Sequence, residues 1–273
     1  MAEVRLGTSA GSETAKEGLT RLARLGYAAK GVVYLLIGGL ALQAAWGSGR
    51  AEDTRGAMSS LLTQPFGRVL VGLVALGLVG YTVWRAYLAA ANPEGDSARK
   101  RVFHAFIAVV HAGLTIAAVR MALNGRGESG GDSERAASWT ARVMEQPFGV
   151  WLVGGAGVVV GLYGLLQFRR AAKAKLDDQL DFSKLGASRR DWVERICRFG
   201  IAARGAVFLI IGWFLVEAAR QFDPSEARGL GGALTSLRDE PWGAWLLTVA
   251  ALGMAAYGVY QLVRARYRVI RTR

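Results

Sequence analysis

A four-residue motif that occurs three times along the chain constrains the fold more than any other feature. Each copy opens an apolar run of roughly 20 residues, the length that crosses the hydrocarbon core of a bilayer as a helix. Proline followed by an aromatic residue and glycine also suits a helix start. The copies are Gln64-Pro65-Phe66-Gly67, Gln146-Pro147-Phe148-Gly149 and Glu240-Pro241-Trp242-Gly243. The repeated unit is therefore predicted to be a membrane hairpin.

The apolar run that precedes the first motif has a close relative late in the chain. Gly26 to Leu40 and Gly200 to Phe214 are identical at eight of fifteen positions. The middle copy diverges, with His104-Ala105-Phe106-Ile107 in place of the pattern of small residues, cation and glycine. The chain therefore divides into three two-helix repeats, preceded by a polar tail that is predicted to be mobile and cytoplasmic. The predicted boundaries are 1–22 for the tail and 23–98, 99–190 and 191–273 for the repeats.

These repeats predict an all-α, polytopic membrane protein with six transmembrane helices. The spans are expected near 27–46, 67–88, 103–123, 149–168, 199–219 and 243–263. Because each repeat contains two spans, successive copies enter the membrane in the same orientation, so the repeats are parallel. A pseudo-threefold arrangement about the membrane normal is the corresponding expectation.

The composition supports a membrane protein and excludes other classes. Hydrophobic residues make up 52% of the chain and cluster in the apolar runs, which disfavours one water-soluble core. The net charge of +13 comes from Lys and Arg between the runs, without the aromatic-interleaved basic face that nucleic-acid binding uses. The single cysteine, Cys197, excludes an internal disulfide and is interpreted as a small apolar residue.

Lys and Arg are distributed unequally between the two sides of the predicted membrane domain. The side that holds both termini has 22, whereas the three loops on the other side have 10, all arginine. Since positively charged loops stay in the cytoplasm, both termini are predicted to be cytoplasmic. The cation-rich loop over residues 169–198 offers a docking surface for anionic lipid head groups or an acidic partner.

The segment before each proline motif carries a few apolar residues. A short amphipathic helix lying on the membrane surface explains them as well as a capped loop with buried apolar residues does. The residues are Met58, Leu61 and Leu62 in the first repeat, Val143 and Met144 in the second, and Leu234 and Leu237 in the third.

Two cations, Lys30 and Arg204, start roughly 8 Å inside their spans on the termini side, at 1.5 Å per residue. Long cationic side chains can reach the interface from that depth. The alternative is a paired interior or substrate-facing role, because ionisable groups inside a membrane are costly and often functional. Both residues are candidates for binding an anionic lipid or ligand.

His111 is the third candidate, near the middle of the third span, where a neutral imidazole needs a hydrogen-bond partner. A packing histidine is favoured over a proton-linked role. His104 is expected near the interface. No carboxylate lies in the interior of a predicted span, so neither a carboxylate proton relay nor a metal site is expected.

A tyrosine stands sixteen positions after each motif proline, near the far end of the second span. These tyrosines are predicted to form an aromatic belt at the membrane interface, with a ligand cage as the alternative. They are Tyr81, Tyr163 and Tyr257. Gly157 and Gly161 form a GxxxG pair, which permits close packing inside the protein and, as a second use, contacts between copies of the chain.

In these motifs the chain resembles the bacterial membrane family known as domain of unknown function 1206. Arg24 to Gly31 and Arg198 to Gly205 carry the first pattern, and the proline motifs carry the second. The resemblance covers nearly everything after Leu22. It implies a six-span protein of the bacterial inner membrane and transfers no activity, cofactor or catalytic residue. The motif positions expected to be structural are Gly26, Gly31, Pro65, Gly67, Pro147, Gly149, Gly200, Gly205, Pro241 and Gly243.

The function favoured by these features is that of a structural membrane module, or of one that binds a partner or membrane lipids. Its expected partners are anionic head groups at the cytoplasmic face, together with a protein partner or a second copy of the chain. No phosphate-cradling, zinc-protease or nucleophile-elbow motif occurs, so neither an enzyme nor a cofactor is expected. The alternative is a transporter or channel with a pathway along the axis between the repeats, an analogy with carrier proteins at the level of fold alone.

Overall fold

The structure, a computed structural model, describes residues 4–47, 51–93, 95–127, 132–173, 180 and 187–268. The described residues form nine α-helices. They are α1 (Val4–Trp46), α2 (Thr54–Leu62), α3 (Gly67–Ala91), α4 (Ala98–Asn124), α5 (Asp132–Met144), α6 (Gly149–Lys173), α7 (Ala187–Gln221), α8 (Leu230–Ser236) and α9 (Gly243–Tyr267). The part of the cation-rich loop at 174–179 and 181–186 lies outside the described residues, so the docking surface predicted there stays a prediction.

Six of these helices are long and apolar enough to cross a membrane. They are α1, α3, α4, α6, α7 and α9, and they overlap the six predicted spans. The all-helical class and the six apolar helices predicted from the sequence are therefore confirmed. The shorter helices α2, α5 and α8 each lie between the two spans of one repeat.

The six long helices have a defined order of neighbours. Helix α1 packs on α3 and α9, α7 packs on α6 and α9, and α4 packs on α3. This order follows a ring with one break, because α4 and α6, both described over their full lengths, share no extended interface. The threefold arrangement of the repeats and the cytoplasmic location of the termini stay predictions.

The bundle has two distinct ends. At one end, Arg264 late in α9 donates a hydrogen bond to the hydroxyl of Tyr27 in α1, at 3.1 Å. At the other end, Trp46 Nε1 donates to Thr248 Oγ1 near the start of α9, at 2.9 Å. We name the first the termini end, and the second the capped end because α2 and α8 cover it.

Apolar side chains from α2 and α8 close the capped end. Met58 of α2 and Leu234 of α8 are fully buried. They belong to a hydrophobic core that includes Ile37, Leu247 and Met254 from the long helices. The segments before the proline motifs in the first and third repeats are thus helices whose apolar residues face the bundle.

Polar contacts connect the capping elements of different repeats. Asp53 accepts a hydrogen bond from the backbone nitrogen of Gly56 at 2.8 Å and so caps the start of α2. The same carboxylate forms a salt bridge with Arg135 of α5, with 3.1 Å between nitrogen and oxygen. The first and second repeats are therefore tied together at the capped end.

The three proline motifs form one kind of turn before α3, α6 and α9. The aromatic residue of each motif has a left-handed backbone, with φ of 59°, 62° and 63° at Phe66, Phe148 and Trp242. The glycine that follows has no room for a side chain, since a Cβ atom on Gly67 would lie 2.5 Å from the carbonyl oxygen of Leu61. Because a positive φ is uncommon in bulky residues, the repeated geometry marks a specific helix start.

Two interfaces between neighbouring repeats are built alike from glycine. A Cβ atom on Gly31 of α1 would lie 3.0 Å from the carbonyl oxygen of Gly258 in α9, and one on Gly205 of α7 would lie 2.9 Å from that of Gly164 in α6. Gly157, from the predicted GxxxG pair, stands equally close to the backbone of α7. Backbones approach this closely only where side chains are absent.

A second pair of glycines joins the two helices within the first and third repeats. A Cβ atom on Gly26 would lie 2.6 Å from the backbone nitrogen of Tyr81, and Gly200 makes the equivalent approach to Tyr257. The second repeat carries the diverged segment at 104–107 instead, and its helices α4 and α6 are the two that share no extended interface. The break in the ring therefore coincides with the loss of the motif glycine.

Helix α1 extends further toward the N-terminus than the predicted span. It begins at Val4, where the sequence predicts a mobile tail over residues 1–22. Extending an existing helix adds a hydrogen bond per residue without a new nucleation cost. Glu17 and Arg21 also form an i,i+4 salt bridge of 2.6 Å. The described part of the tail is therefore helical in the structure.

Candidate functional site

Four cations from four helices come together in the half of the bundle nearer the termini end. They are Lys30 of α1, Arg85 of α3, Arg204 of α7 and Arg264 of α9, and we name them the central cation cluster. Lys30 interacts electrostatically with each of the other three. It lies about 24 Å from Trp46 along α1, at 1.5 Å per residue. The cluster is thus inside the bundle and remote from the capped end.

Tyr81 connects two members of the cluster. Lys30 Nζ donates to the Tyr81 hydroxyl at 3.3 Å and lies 4.3 Å from the ring centre. Arg85 donates to the same hydroxyl from Nε at 2.9 Å and from Nη2 at 2.8 Å. Lys30 is only 8% exposed, so its side chain points into the bundle and does not extend to the interface.

Arg204 lies among aromatic rings from all three repeats. Its guanidinium carbon is 4.4 Å from the ring centre of Phe208 and 4.8 Å from that of Tyr257. Its Nε and Nη1 atoms donate to the hydroxyls of Tyr34 and Tyr163, both at 3.4 Å. These hydrogen bonds are long, and a guanidinium has five N–H donors. Arg204 can therefore donate to a further acceptor.

Arg264 extends the cluster along α9. It donates to the Tyr27 hydroxyl at 3.1 Å, and its guanidinium carbon is 4.3 Å from the Tyr27 ring centre. It also donates to Gln261 Oε1 at 3.4 Å, and the fully buried Gln261 donates to the hydroxyl of Tyr257 at 3.0 Å. Tyr257 is one of the rings beside Arg204. A continuous set of contacts thus links Arg264 to Arg204.

No salt bridge in the described part of the chain involves a member of the central cation cluster. The cations are held by neutral hydroxyls and by ring faces. A cation–π contact contributes about 0.5 to 2 kcal/mol, whereas an ion taken out of water costs several kcal/mol. The four like charges also repel one another. The cluster is therefore electrostatically incomplete, and an anion would balance it.

The central cation cluster is separated from the capped end by apolar side chains. Ile37, seven residues beyond Lys30 on α1, is fully buried, and so are Ala251 and Met254 on α9. These residues belong to the hydrophobic core that α2 and α8 complete. This apolar core therefore blocks a polar path to the cluster from the capped end.

His111 lies beside the cluster on α4. Its Nδ1 atom is 2.9 Å from the carbonyl oxygen of Ile107, and its ring centre is 4.6 Å from that of Tyr81. Because a carbonyl only accepts, Nδ1 carries the proton in this hydrogen bond. His111 also interacts electrostatically with Lys30 and Arg85. Gaining a second proton there would add a like charge, so the geometry fits a neutral packing histidine.

A chain of hydrogen bonds leads from the cluster to the loop between α3 and α4. Arg85 Nη1 is 2.8 Å from His104 Nδ1, and His104 Nε2 is 3.2 Å from Asp96 Oδ2. Since a guanidinium only donates, His104 accepts at Nδ1 and carries its proton on Nε2, toward Asp96. A hydrogen bond from Lys100, with a further one from His104, holds the pKa of the Asp96 carboxyl below its usual range. Asp96 is thus charged at neutral pH and orients His104 against Arg85.

The aromatic belt predicted for the three repeat tyrosines is wrong. Tyr81 and Tyr257 are 2% and 6% exposed, and their hydroxyls point at cations and amides inside the bundle. Tyr163 accepts a hydrogen bond from Arg204. Trp84, three residues after Tyr81 on α3, is fully buried as well. The structure thus places the hydroxyls of these tyrosines against Lys30, Arg204 and Gln261, and the alternative of a ligand cage stays a prediction.

Sequence reasoning missed two members of the cluster, Arg85 and Arg264, because it counts them as loop charges. A signal was present in the repeat. Arg85 and Gln261 each follow a repeat tyrosine by four residues, and Arg264 follows one turn later. Moving both arginines out of the loops leaves 20 cations against 10, so the charge asymmetry behind the predicted orientation persists.

The charged groups of this site are hydrogen-bond donors and not metal ligands. Among the described residues, no group of three His, Cys, Asp or Glu side chains could hold a metal ion. Cys197, buried in α7, packs with Ile201 and Tyr260 and takes no part in the cluster. Guanidinium, ammonium and phenol groups instead donate hydrogen bonds, and phosphate and carboxylate oxygens accept them.

The sequence matches the family described as Domain of Unknown Function (DUF1206) in three segments, residues 25–92, 104–174 and 199–268. Each segment contains one two-helix repeat, which confirms the three tandem repeats predicted from the sequence. The chain is also similar to the uncharacterized protein YxxB of Bacillus subtilis (strain 168). The two are 36% identical over 260 residues, which cover 93% of this chain and 92% of that protein. No solved structure matches the chain.

Proposed function

Because the chain belongs to the DUF1206 family, whose description states no activity, we propose a function from the geometry: this multi-pass membrane protein binds an anionic phosphate group in the central cation cluster. The observation that carries the proposal is the set of four cations inside the bundle without a carboxylate partner among the described residues. Intramembrane ionisable groups are costly, and they persist where a ligand or partner compensates them.

The arrangement around Arg204 favours phosphate over a simple halide. A guanidinium presents paired N–H donors in a plane, which match two oxygens of one phosphate. Lys30, within electrostatic range, adds a point charge with three donors. The hydroxyls of Tyr34 and Tyr163 already orient the guanidinium and can rotate their own protons toward an added oxygen. The site therefore offers both charge and directed donors to a tetrahedral oxyanion.

Replacing Arg204 tests the proposal with glycerol phosphate as a soluble probe. Arg204→Gln should weaken its binding at least about tenfold, because a hydrogen bond to a charged group is lost along with a charge. Arg204→Lys should lie between wild type and Arg204→Gln, since an ammonium keeps the charge but not the bidentate geometry. The measurement is isothermal titration calorimetry of the protein in neutral detergent.

Arg228→Gln is the matched control for this experiment. Arg228 also stands over an aromatic ring, 4.4 Å from the centre of Phe214, but this pair lies near the capped end and outside the cluster. Arg228→Gln should therefore leave the affinity for glycerol phosphate unchanged. If wild type does not bind glycerol phosphate, or if Arg204→Gln binds it as wild type does, the proposed function is rejected.

A transport pathway through the bundle is a weaker candidate. It would have to cross the apolar core that Ile37, Leu247 and Met254 share with the capping helices. This core supports a binding site that opens on one side, as a lipid-binding or partner-binding module requires. A coupled transporter also commonly uses an interior carboxylate or a discontinuous helix, and α1, α3, α4, α6, α7 and α9 are each continuous.

The protein is proposed to lie in the bacterial plasma membrane with both termini in the cytoplasm. The excess of Lys and Arg on the termini side supports this orientation. A C-terminal green fluorescent protein fusion should fluoresce, and a C-terminal alkaline phosphatase fusion should be inactive. A phosphatase fusion after Gly127, in the loop before α5, should be active. An active C-terminal phosphatase would contradict the orientation.

A further inference from the structure

We infer that the anion of the central cation cluster is the phosphate of a membrane phospholipid, which reaches the cluster sideways between α4 and α6 while its acyl chains stay in the bilayer. This inference rests on the proposed function and specifies its ligand. It starts from the break in the helix ring, since α4 and α6 are the neighbours along the chain that share no extended interface.

The break leads directly to the cluster. On α4, His111 packs against Tyr81, with 4.6 Å between ring centres, and Tyr81 holds Lys30 and Arg85. On α6, the hydroxyl of Tyr163 accepts a hydrogen bond from Arg204 at 3.4 Å. Helix α6 thus places a ring against Arg204, and α4 places a ring against Tyr81, which contacts Lys30 and Arg85.

The outward surfaces of α4 and α6, the helices on either side of the break, are apolar and suit acyl chains. Helices α4 and α6 carry large hydrophobic side chains with little cover from the rest of the protein. These include Val109 and Ile116 on α4, and Val158, Val159 and Leu162 on α6. A lipid between the two helices would therefore keep its chains in contact with hydrocarbon-compatible residues while its phosphate meets the cations. A charged solute without acyl chains would not make these apolar contacts.

Phe103 and Tyr163 are the aromatic pair that spans the break. Their ring centres are 5.9 Å apart and their planes are tilted by 39°. Tyr163 is at the same time a neighbour of Arg204, so the pair stands between the cluster and the lipid side. A lipid that enters here has to displace the Phe103 ring. The exchange rate of the bound lipid should therefore depend on Phe103.

The test follows exchange of bound phosphatidylglycerol. Wild-type protein carrying phosphatidylglycerol in neutral detergent is mixed with an excess of the same lipid bearing deuterated chains, and the bound lipid is followed by native mass spectrometry. Phe103→Ala should accelerate exchange roughly threefold to tenfold, the factor that corresponds to losing one aromatic pair. Phe106→Ala, one turn away on α4 and 62% exposed, is the matched control and should exchange as wild type does.

The outcomes separate this inference from the proposed function. Glycerol phosphate lacks acyl chains and tests the cluster alone; its affinity should be the same in wild type and Phe103→Ala, which also shows that Phe103→Ala is folded. If glycerol phosphate binds but phosphatidylglycerol is not retained, the ligand is a soluble phosphate and the lipid inference is overturned. Equal exchange rates in Phe103→Ala and Phe106→Ala overturn the lateral route. If wild type does not bind glycerol phosphate, the proposed function itself fails.

Discussion

Gly26→Ala is expected to destabilise the protein by about 3 kcal/mol, at the upper end of the cost of overpacking. The added methyl group would lie 2.6 Å from the backbone nitrogen of Tyr81 and 2.7 Å from its Cα atom. A flexible side chain could rotate away, but backbone atoms of α3 move only if the whole helix shifts. The contact between α1 and α3 would therefore widen along its length. The measurement is the melting temperature in detergent, followed by size-exclusion chromatography.

The same substitution should also weaken anion binding. Tyr81 positions both Lys30 and Arg85, so a shift of α3 separates the two cations from the rest of the cluster. A loss of glycerol phosphate affinity at temperatures where Gly26→Ala is still folded would demonstrate the link between packing and site. The motif glycine is thus expected to act on function through the position of one tyrosine.

Gly39→Ala is the matched control on the same helix. A Cβ atom on Gly39 would meet no neighbouring atom, and the residue is exposed. Alanine should stabilise α1 there by about 0.5 to 1 kcal/mol, because glycine is the poorer helix former. The same glycine-to-alanine change is therefore expected to lower the free energy of unfolding at Gly26 and to raise it at Gly39. Melting of Gly26→Ala at or above the wild-type temperature would contradict the close approach of α1 and α3.

The contrast between these two glycines shows what the sequence could predict. Gly26 and Gly31 belong to a pattern that returns at Gly200 and Gly205, and such repetition indicates a common structural demand. Gly39 does not belong to such a pattern, because Trp213 stands at the corresponding position in the third repeat. The six helices were predictable for a similar reason, since length and apolarity decide whether a segment can span a bilayer.

The site was predictable only in part, because the position of a residue along a helix does not reveal whether its side chain faces lipid or the bundle interior. Tyr81 and Tyr257 lie at the depth expected for an interface belt, yet both face the interior. Arg85 and Arg264 lie near the ends of their apolar runs, so the charge count groups them with the loops. Their side chains turn back toward tyrosines of the bundle, and only the packing of neighbouring helices shows this.

The break between α4 and α6 was beyond sequence reasoning for a different reason. The divergence at 104–107 was visible, but a missing motif does not say which contact is lost. The structure supplies the link, because Gly26 and Gly200 each bring together the two helices of their own repeat. The second repeat lacks such a close approach, and its helices α4 and α6 share no extended interface.

Gln261→Glu is expected to lower the affinity for glycerol phosphate by about 100-fold. The substitution changes the shape of the side chain very little but places a carboxylate next to Arg264, whose Nη1 atom is 3.4 Å from Gln261 Oε1. Opposite charges about 4 Å apart attract by roughly 4 kcal/mol at an effective dielectric of 20. The protein would then contain its own counter-ion, and a bound anion would be repelled by it. Calorimetry of wild type and Gln261→Glu measures the loss directly.

The variant should also change how stability responds to the anion. Wild type should melt at a higher temperature as glycerol phosphate is added, because a ligand that binds only the folded state stabilises it by mass action. Gln261→Glu should melt above ligand-free wild type and respond little to the anion. Gln261→Met, which removes the hydrogen bonds without adding a charge, should lose stability and retain most of the affinity. If Gln261→Met loses as much affinity as Gln261→Glu, the effect comes from packing, and an uncompensated positive charge is not what the site uses to hold its ligand.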